Sequence, residues 1–240
     1  MSGPISEQPI LELKALTRLQ RVKASYRSLI KLDYEHAAED CATCPTRGAC
    51  CTDAHFVNVH ITRLEAVAIR ETLARTPRLT EAERRAVYSR ARETVERYGL
   101  RAAGDTFAQT YACPLYEPSV GCLVHARAKP AACIQHACYE NWEDLPPLRL
   151  QTRAEHRVEQ LNREVYGAAW AWLPTPLWLT LLDPQSDGAE LLRLARQWSA
   201  RPIKEGNPAQ RAQPLNRGAH RIRASLPVLF QESKNGRRLR

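Results

Sequence analysis

Eight cysteines confined to two short windows of a 240-residue chain constrain its folding more than any other feature. The first window reads Cys41-x2-Cys44-x5-Cys50-Cys51. The second holds Cys113-Pro114, Cys122 and Cys133-x4-Cys138. Thiols this close together are natural donors for a soft metal, either zinc or an iron–sulfur cluster. Any centre that uses both windows obliges the fold to bring two distant loops together.

The compartment decides how such cysteines are read. The N-terminal segment MSGPISEQPILELKALTRLQ has no basic stretch followed by an unbroken apolar run and a small-residue cleavage site. The most apolar stretch, Ala168 to Leu182, is too short to span a bilayer and is interrupted by Pro174 and Pro176. The expectation is a soluble, cytoplasmic protein. Disulfides are rare in a reducing cytosol, where dense cysteine patterns are more often metal-binding or catalytic. The net charge of +9 suggests nucleic acid until it is located. From Ala200 to Arg240 there are ten Lys and Arg against Glu205 and Glu232, which leaves the remainder of the chain almost neutral. That tail is rich in Pro, Gly, Gln and Asn and is expected to be loosely held.

The pattern predicts a mainly α fold with minor β and irregular loops. Residues 9–38 read as a long amphipathic helix, with Ile10, Leu13, Leu16, Leu19, Val22, Tyr26, Leu29 and Ile30 at steps of three and four. Phe56 to Ile61 has the character of a short strand. Thr62-x-x-Glu65 and Thr80-x-x-Glu83 are capping boxes, predicting helices from 62 to about 73 and over 80–98, with Gly99 as the stop. Thr152-x-x-Glu155 reads as a third box, opening a helix through Tyr166. A last helix is expected from Gly188 to Ser199. Trp170, Trp172, Leu177, Trp178 and Leu181 are expected to pack in the core rather than bind a ligand. The division is an N-terminal helix (1–40), a cysteine-cluster domain (41–199) with a helical insert at 62–98, and a basic tail (200–240). The helical scaffold would bring the two cysteine-rich loops together.

Cys41-x2-Cys44 is a chelating step, since thiolates two residues apart can face one metal from a single turn. Cys44-Pro45 and Cys113-Pro114 are Cys-Pro steps of the kind that ends the bacterial ferredoxin ligand run. Adjacent Cys50 and Cys51 diverge, so they serve different sites or leave one thiol reactive. Eight thiolates suit two four-thiolate sites, or one cluster with spare redox-active cysteines. The candidate metal ligands are therefore Cys41, Cys44, Cys50, Cys51, Cys113, Cys122, Cys133 and Cys138. His125 and His136 are alternatives that read more readily as surface or supporting residues. Asp53, His55 and His60 follow the first window and could supply acid–base groups, although second-sphere support is the commoner role. No glycine-rich nucleotide loop and no catalytic triad is evident.

The motif set resembles the bacterial YkgJ-type cysteine-cluster family, described as a zinc- or iron-chelating domain. Its first motif, Cys-x2-Cys-x2-Cys-Cys, corresponds to Cys41, Cys44, Cys50 and Cys51, with five residues here in place of the last two. Its second region corresponds to Cys113-Pro114-Leu115, Gly121-Cys122, Lys129-Pro130-Ala131-Ala132-Cys133 and Cys138. Gly121-Cys122 lacks the family's intervening residue, lysine stands for the usual arginine at 129, and His136 lies where an aromatic is common. The resemblance covers about residues 41–138. It implies a metal-binding protein that uses all eight cysteines. It also implies an alternative, because the family includes a flagellin lysine N-methylase: a cluster-dependent enzyme of protein methylation or redox chemistry. A third expectation, independent of the resemblance, is a module that binds nucleic acid or an acidic protein through the basic tail.

Overall fold

The computed structural model describes residues 8–39, 48–52, 58–103, 106, 109–139 and 141–200. It is mainly helical. In chain order the elements are α1 (Gln8–Asp33), β1 (Ala38–Glu39), α2 (Ala49–Thr52), β2 (His60–Ile61), α3 (Arg63–Arg75), α4 (Glu81–Tyr98), β3 (Tyr116–Glu117), β4 (Gly121–Cys122), α5 (Ala131–Ile134), β5 (Cys138–Tyr139), α6 (Leu148–Tyr166), β6 (Leu173–Pro174), α7 (Thr175–Leu181) and α8 (Ala189–Ser199). The strands form three two-stranded antiparallel ladders, β1–β5, β2–β6 and β3–β4. Among the described residues no helix is long and apolar enough to cross a membrane.

Two helix starts follow local chemistry alone. Thr62 accepts a hydrogen bond from Glu65 N–H, and the Glu65 carboxylate accepts one from Thr62 N–H at 3.3 Å. Thr80 and Glu83 repeat the arrangement at the head of α4, which Gly99 ends in the left-handed region at φ 59°. Each cap satisfies donors that the first turn would leave open and contributes about 1 kcal/mol.

The expected third box does not form. α6 begins one turn earlier, behind Pro147, whose φ of −59° already suits a helix. Leu150, in that extra turn, packs against Tyr26, Ile30, Ile134 and Ala154. Thr152 is thereby inside the helix, donating to Leu148 O at 3.1 Å, and Glu155 is buried. α1 is also shorter than predicted. It ends at Asp33, and Glu35–Ala37 tighten into a 3-10 turn that leads into β1. In the span expected as a strand, Phe56 and Val57 lie outside the described residues, and only His60 and Ile61 pair. The tail 201–240 also lies outside the described residues.

α1 and α6 run antiparallel: Gln8 Nε2 donates to Val165 O, whereas Tyr26 packs near Ala154. Between them and α3 lies one apolar cluster, built from Ala15, Leu19, Leu64, Val158, Leu161, Trp170 and Trp172. A larger cluster joins α3, α4, α7 and α8, with Trp178 fully buried and 5.8 Å from Trp198. Cys113 and Cys122 pack against this larger cluster, so the apolar run at 170–182 does form core beside the second cysteine window.

The buried stripe of α1 is Ala15, Leu19, Lys23, Tyr26 and Ile30. Ile10, Leu13 and Leu29, expected on the inner face, are exposed. The stripe includes a lysine because a polar layer crosses this interface. Tyr26 donates to Gln135 (2.6 Å), Gln135 to Gln151 (2.8 Å), and Gln151 to Glu155 (2.7 Å). Glu159 accepts from Trp172 Nε1 at 3.0 Å. Burial lifts the Glu155 carboxyl from its ordinary value of 4.5 to about 7; the Gln151 hydrogen bond opposes this, and the charges of Glu65 and Glu159 add to it.

Between pH 4.5 and about 7 the unfolded chain releases a proton that the folded chain keeps, so stability falls across that interval and levels off above it. Glutamine can accept the same bond from Gln151. Glu155→Gln is therefore expected to stabilise the protein by roughly 1–3 kcal/mol at pH 8 and to change little at pH 4. Urea denaturation at the two pH values measures the difference; equal effects at both would contradict the assignment.

Candidate metal centre

The backbone brings the two cysteine windows together at both ends of the first. On the N-terminal side, β1 pairs with β5 so that Glu39 faces Cys138, two residues before Cys41. On the C-terminal side, Cys113 N–H donates to Cys51 O at 2.7 Å. Cys41 and Cys44 themselves lie outside the described residues. Cys50 is placed in α2 and Cys138 in β5 by their backbone.

Gly48 makes the second junction possible. Its carbonyl accepts from Cys51 N–H at 2.8 Å and from Thr52 N–H at 3.0 Å, which winds the single turn of α2. Its φ of 83° is left-handed, and a Cβ there would overlap the Tyr116 ring. The turn carrying Cys50 and Cys51 thus lies directly against the β3–β4 hairpin.

That hairpin positions two more thiols. Tyr116 and Cys122 are register partners, Tyr116 N–H donates to Cys113 O at 3.1 Å, and Leu123 N–H donates to Leu115 O at 2.9 Å. Arg90 of α4 holds the segment leading into β3 by donating to Pro114 O at 3.2 and 3.0 Å. Cys133 sits in α5, whose first N–H, from Ala131, is accepted by Glu65 Oε1 at 2.9 Å. Cys51, Cys113, Cys122 and Cys133 are half-buried thiols.

Their electrostatics couple. Burial pushes the Cys133 thiol far up. The Lys129 ammonium opposes that push, and the charges of Cys113, Cys122 and Glu65 reinforce it. A thiol held neutral in this way deprotonates when a metal cation takes the place of the missing positive charge. Among the described residues, however, no group of three or more His, Cys, Asp or Glu side chains is gathered closely enough to hold a metal ion. Side chains are described for four of the eight candidate ligands. The donor chemistry fits a soft metal; the closed coordination geometry is not among the described contacts.

The histidines separate. His60 is buried and structural: Nε2 lies 2.9 Å from Thr106 Oγ1, Nδ1 lies 3.4 Å from Asn58 O, and Asn58 Nδ2 donates to Thr106 O. It ties β2 to the loop before the second window. Asp53 and His55 lie outside the described residues. His125 is exposed; burial of part of its ring, with Lys129 and Arg27 nearby and Glu35 opposing, lowers its pKa from the ordinary value. His136 N–H donates to Cys133 O at 3.3 Å, so its backbone closes the α5 turn.

Sequence reasoning saw Glu65 only as a capping residue and did not single out Lys23. Lys23 Nζ lies 2.9 Å from Glu65 Oε1, with both side chains buried. The one signal was a lysine at i+4 from Leu19 and i−3 from Tyr26, on the face that packs. A hollow of about 440 Å³ beside Cys113, lined by Arg90, Arg97 and Tyr98 of α4, was also not legible in sequence.

No family model, no curated protein and no solved structure matches the chain.

The Gly48 junction carries a testable consequence. Gly48→Ala combines a left-handed backbone with a ring overlap and is expected to cost roughly 1–3 kcal/mol. Iodoacetamide labelling of Cys51 and Cys113, read by mass spectrometry, should accelerate as the turn lifts from the hairpin. Unchanged labelling and melting would show that the contact holds nothing.

Proposed function

We propose that this chain is a metal-binding protein whose cysteine segments 41–51 and 113–138 form one thiolate-held centre of zinc or iron–sulfur type. The observation that carries the reading is the double backbone join, Glu39 to Cys138 and Cys51 to Cys113, which draws the two thiol-rich segments side by side. The order of the eight cysteines, similar to that of the YkgJ-type family, supports it independently.

The test is anaerobic purification followed by metal and sulfide analysis and a visible spectrum. Iron, acid-labile sulfide and a broad band near about 400 nm identify a cluster; near-integral zinc in a colourless protein identifies a structural site. Cys113→Ser and Cys133→Ser are expected to lose the bound metal and to melt at lower temperature. Wild-type metal content in both variants, or no metal in the wild type, would sink the proposal.

The hollow beside Cys113 favours a second reading, a cluster-dependent enzyme that admits a substrate next to the centre. By the same resemblance, protein methylation is the reaction to test first. Adding S-adenosylmethionine to the metal-loaded protein should perturb the visible spectrum; an intact cluster that gives no response counts against methyl transfer.

A further inference from the structure

A second feature of the molecule lies along α1 and α6, on residues that carry no thiol. A groove of about 800 Å³ runs between α1 and α6. Along its α6 wall stand Arg149, Arg153 and Arg157, all exposed, at successive steps of four residues. Such steps place the guanidinium bases about 6 Å apart on one helix face, and the wall from Leu148 to Leu161 is about 20 Å long. Arg18 of α1, bonded to Glu164, faces them, and His156 also lines the groove. Among the described residues no carboxylate lines the groove, and none of the three α6 arginines has an ion pair. A row of like charges at i,i+4 weakens an isolated helix, so this arrangement lacks a reason in local stability.

The floor selects among anions. It is apolar, formed by Val22, Leu148 and Leu161, and among the described residues no aromatic side chain lines it. A nucleic-acid strand would find no stacking platform there and would leave the apolar floor unused. An amphipathic helix with acidic residues at i,i+4 repeats the 6 Å arginine spacing and has an apolar stripe for the floor. Arginine pairs with carboxylates through a planar two-pronged contact. We propose that the α1–α6 groove is a docking site for an acidic amphipathic helix of a partner protein. This inference does not rest on the metal-binding reading.

The test uses the full chain and a fluorescein-labelled peptide of about 14 residues, long enough to span the wall. It carries glutamates at i,i+4 beside a leucine stripe. A control peptide replaces glutamate with lysine, and labelled oligothymidine serves as the polyanion control. The expected result is saturable binding of the acidic peptide alone, weakened at least about tenfold by R149E/R153E/R157E and partly by R153E. These side chains are exposed, and unchanged circular dichroism and melting temperature confirm the fold. The binding should also decline as salt rises. The proposal is overturned if the triple variant binds the acidic peptide like the wild type, or if no peptide binds. It is equally overturned if oligothymidine binds more tightly and is lost in the same variant, which would assign the groove to nucleic acid.

Discussion

The buried carboxylate of Glu65 is the point at which three separate elements meet. One oxygen accepts from Thr62 N–H and caps α3. The other accepts from Ala131 N–H at the start of α5 and lies 2.9 Å from the Lys23 ammonium of α1. Burying a charge is costly unless it is paired and hydrogen-bonded, and Glu65 has both kinds of partner. Lys23 is less well served: beyond that carboxylate it reaches no hydrogen-bond acceptor among the described residues. Removing Glu65 would strand a buried ammonium and release the head of α5 in one step. The α5 turn that carries Cys133 is therefore held by a bond reaching back to the first half of the chain, not by its own four residues, which are too few to be stable alone.

The described scaffold by itself positions the ends of both cysteine windows. Apolar burial on both sides of α3 sets the helices, and the helices set the loops. Leu64 packs toward α1 and α6, whereas Ala66, Ile69 and Leu73 belong to the larger cluster with α4 and α7. The two-residue ladders β1–β5 and β3–β4 are too short to stand alone, and they form where packed helices deliver their ends. Many small metal domains fold only when the metal closes the loop. Here a described core of buried side chains supplies the organisation, and a bound centre would add to a framework already present.

The parts legible from sequence were those governed by contacts a few residues apart. The boxes at Thr62 and Thr80, the stop at Gly99 and the burial of Trp170, Trp172 and Trp178 all appear in the structure. The third box failed for an instructive reason. Thr152-x-x-Glu155 has the right letters, but Pro147 starts the helix earlier and Leu150 finds a packing site, so the motif falls inside α6. Similarly, the leucines of α1 promised a broad apolar face. The face that is buried instead runs through Lys23, because a carboxylate on another helix awaits it.

Taken by itself, the sequence determined the helical character, the boundaries of α3, α4 and α8, and the number and order of thiols available to a metal. Each depends on local propensity, capping chemistry or composition, which do not need the rest of the chain. Tertiary structure alone decided which faces are inside and which residues on distant segments meet: Cys51 with Cys113, Glu39 with Cys138, Lys23 with Glu65, and the arginines of α6 with the apolar floor beside α1. Those pairings depend on how helices pack over separations of many residues, where burial of shared surface outweighs any preference written into a single segment.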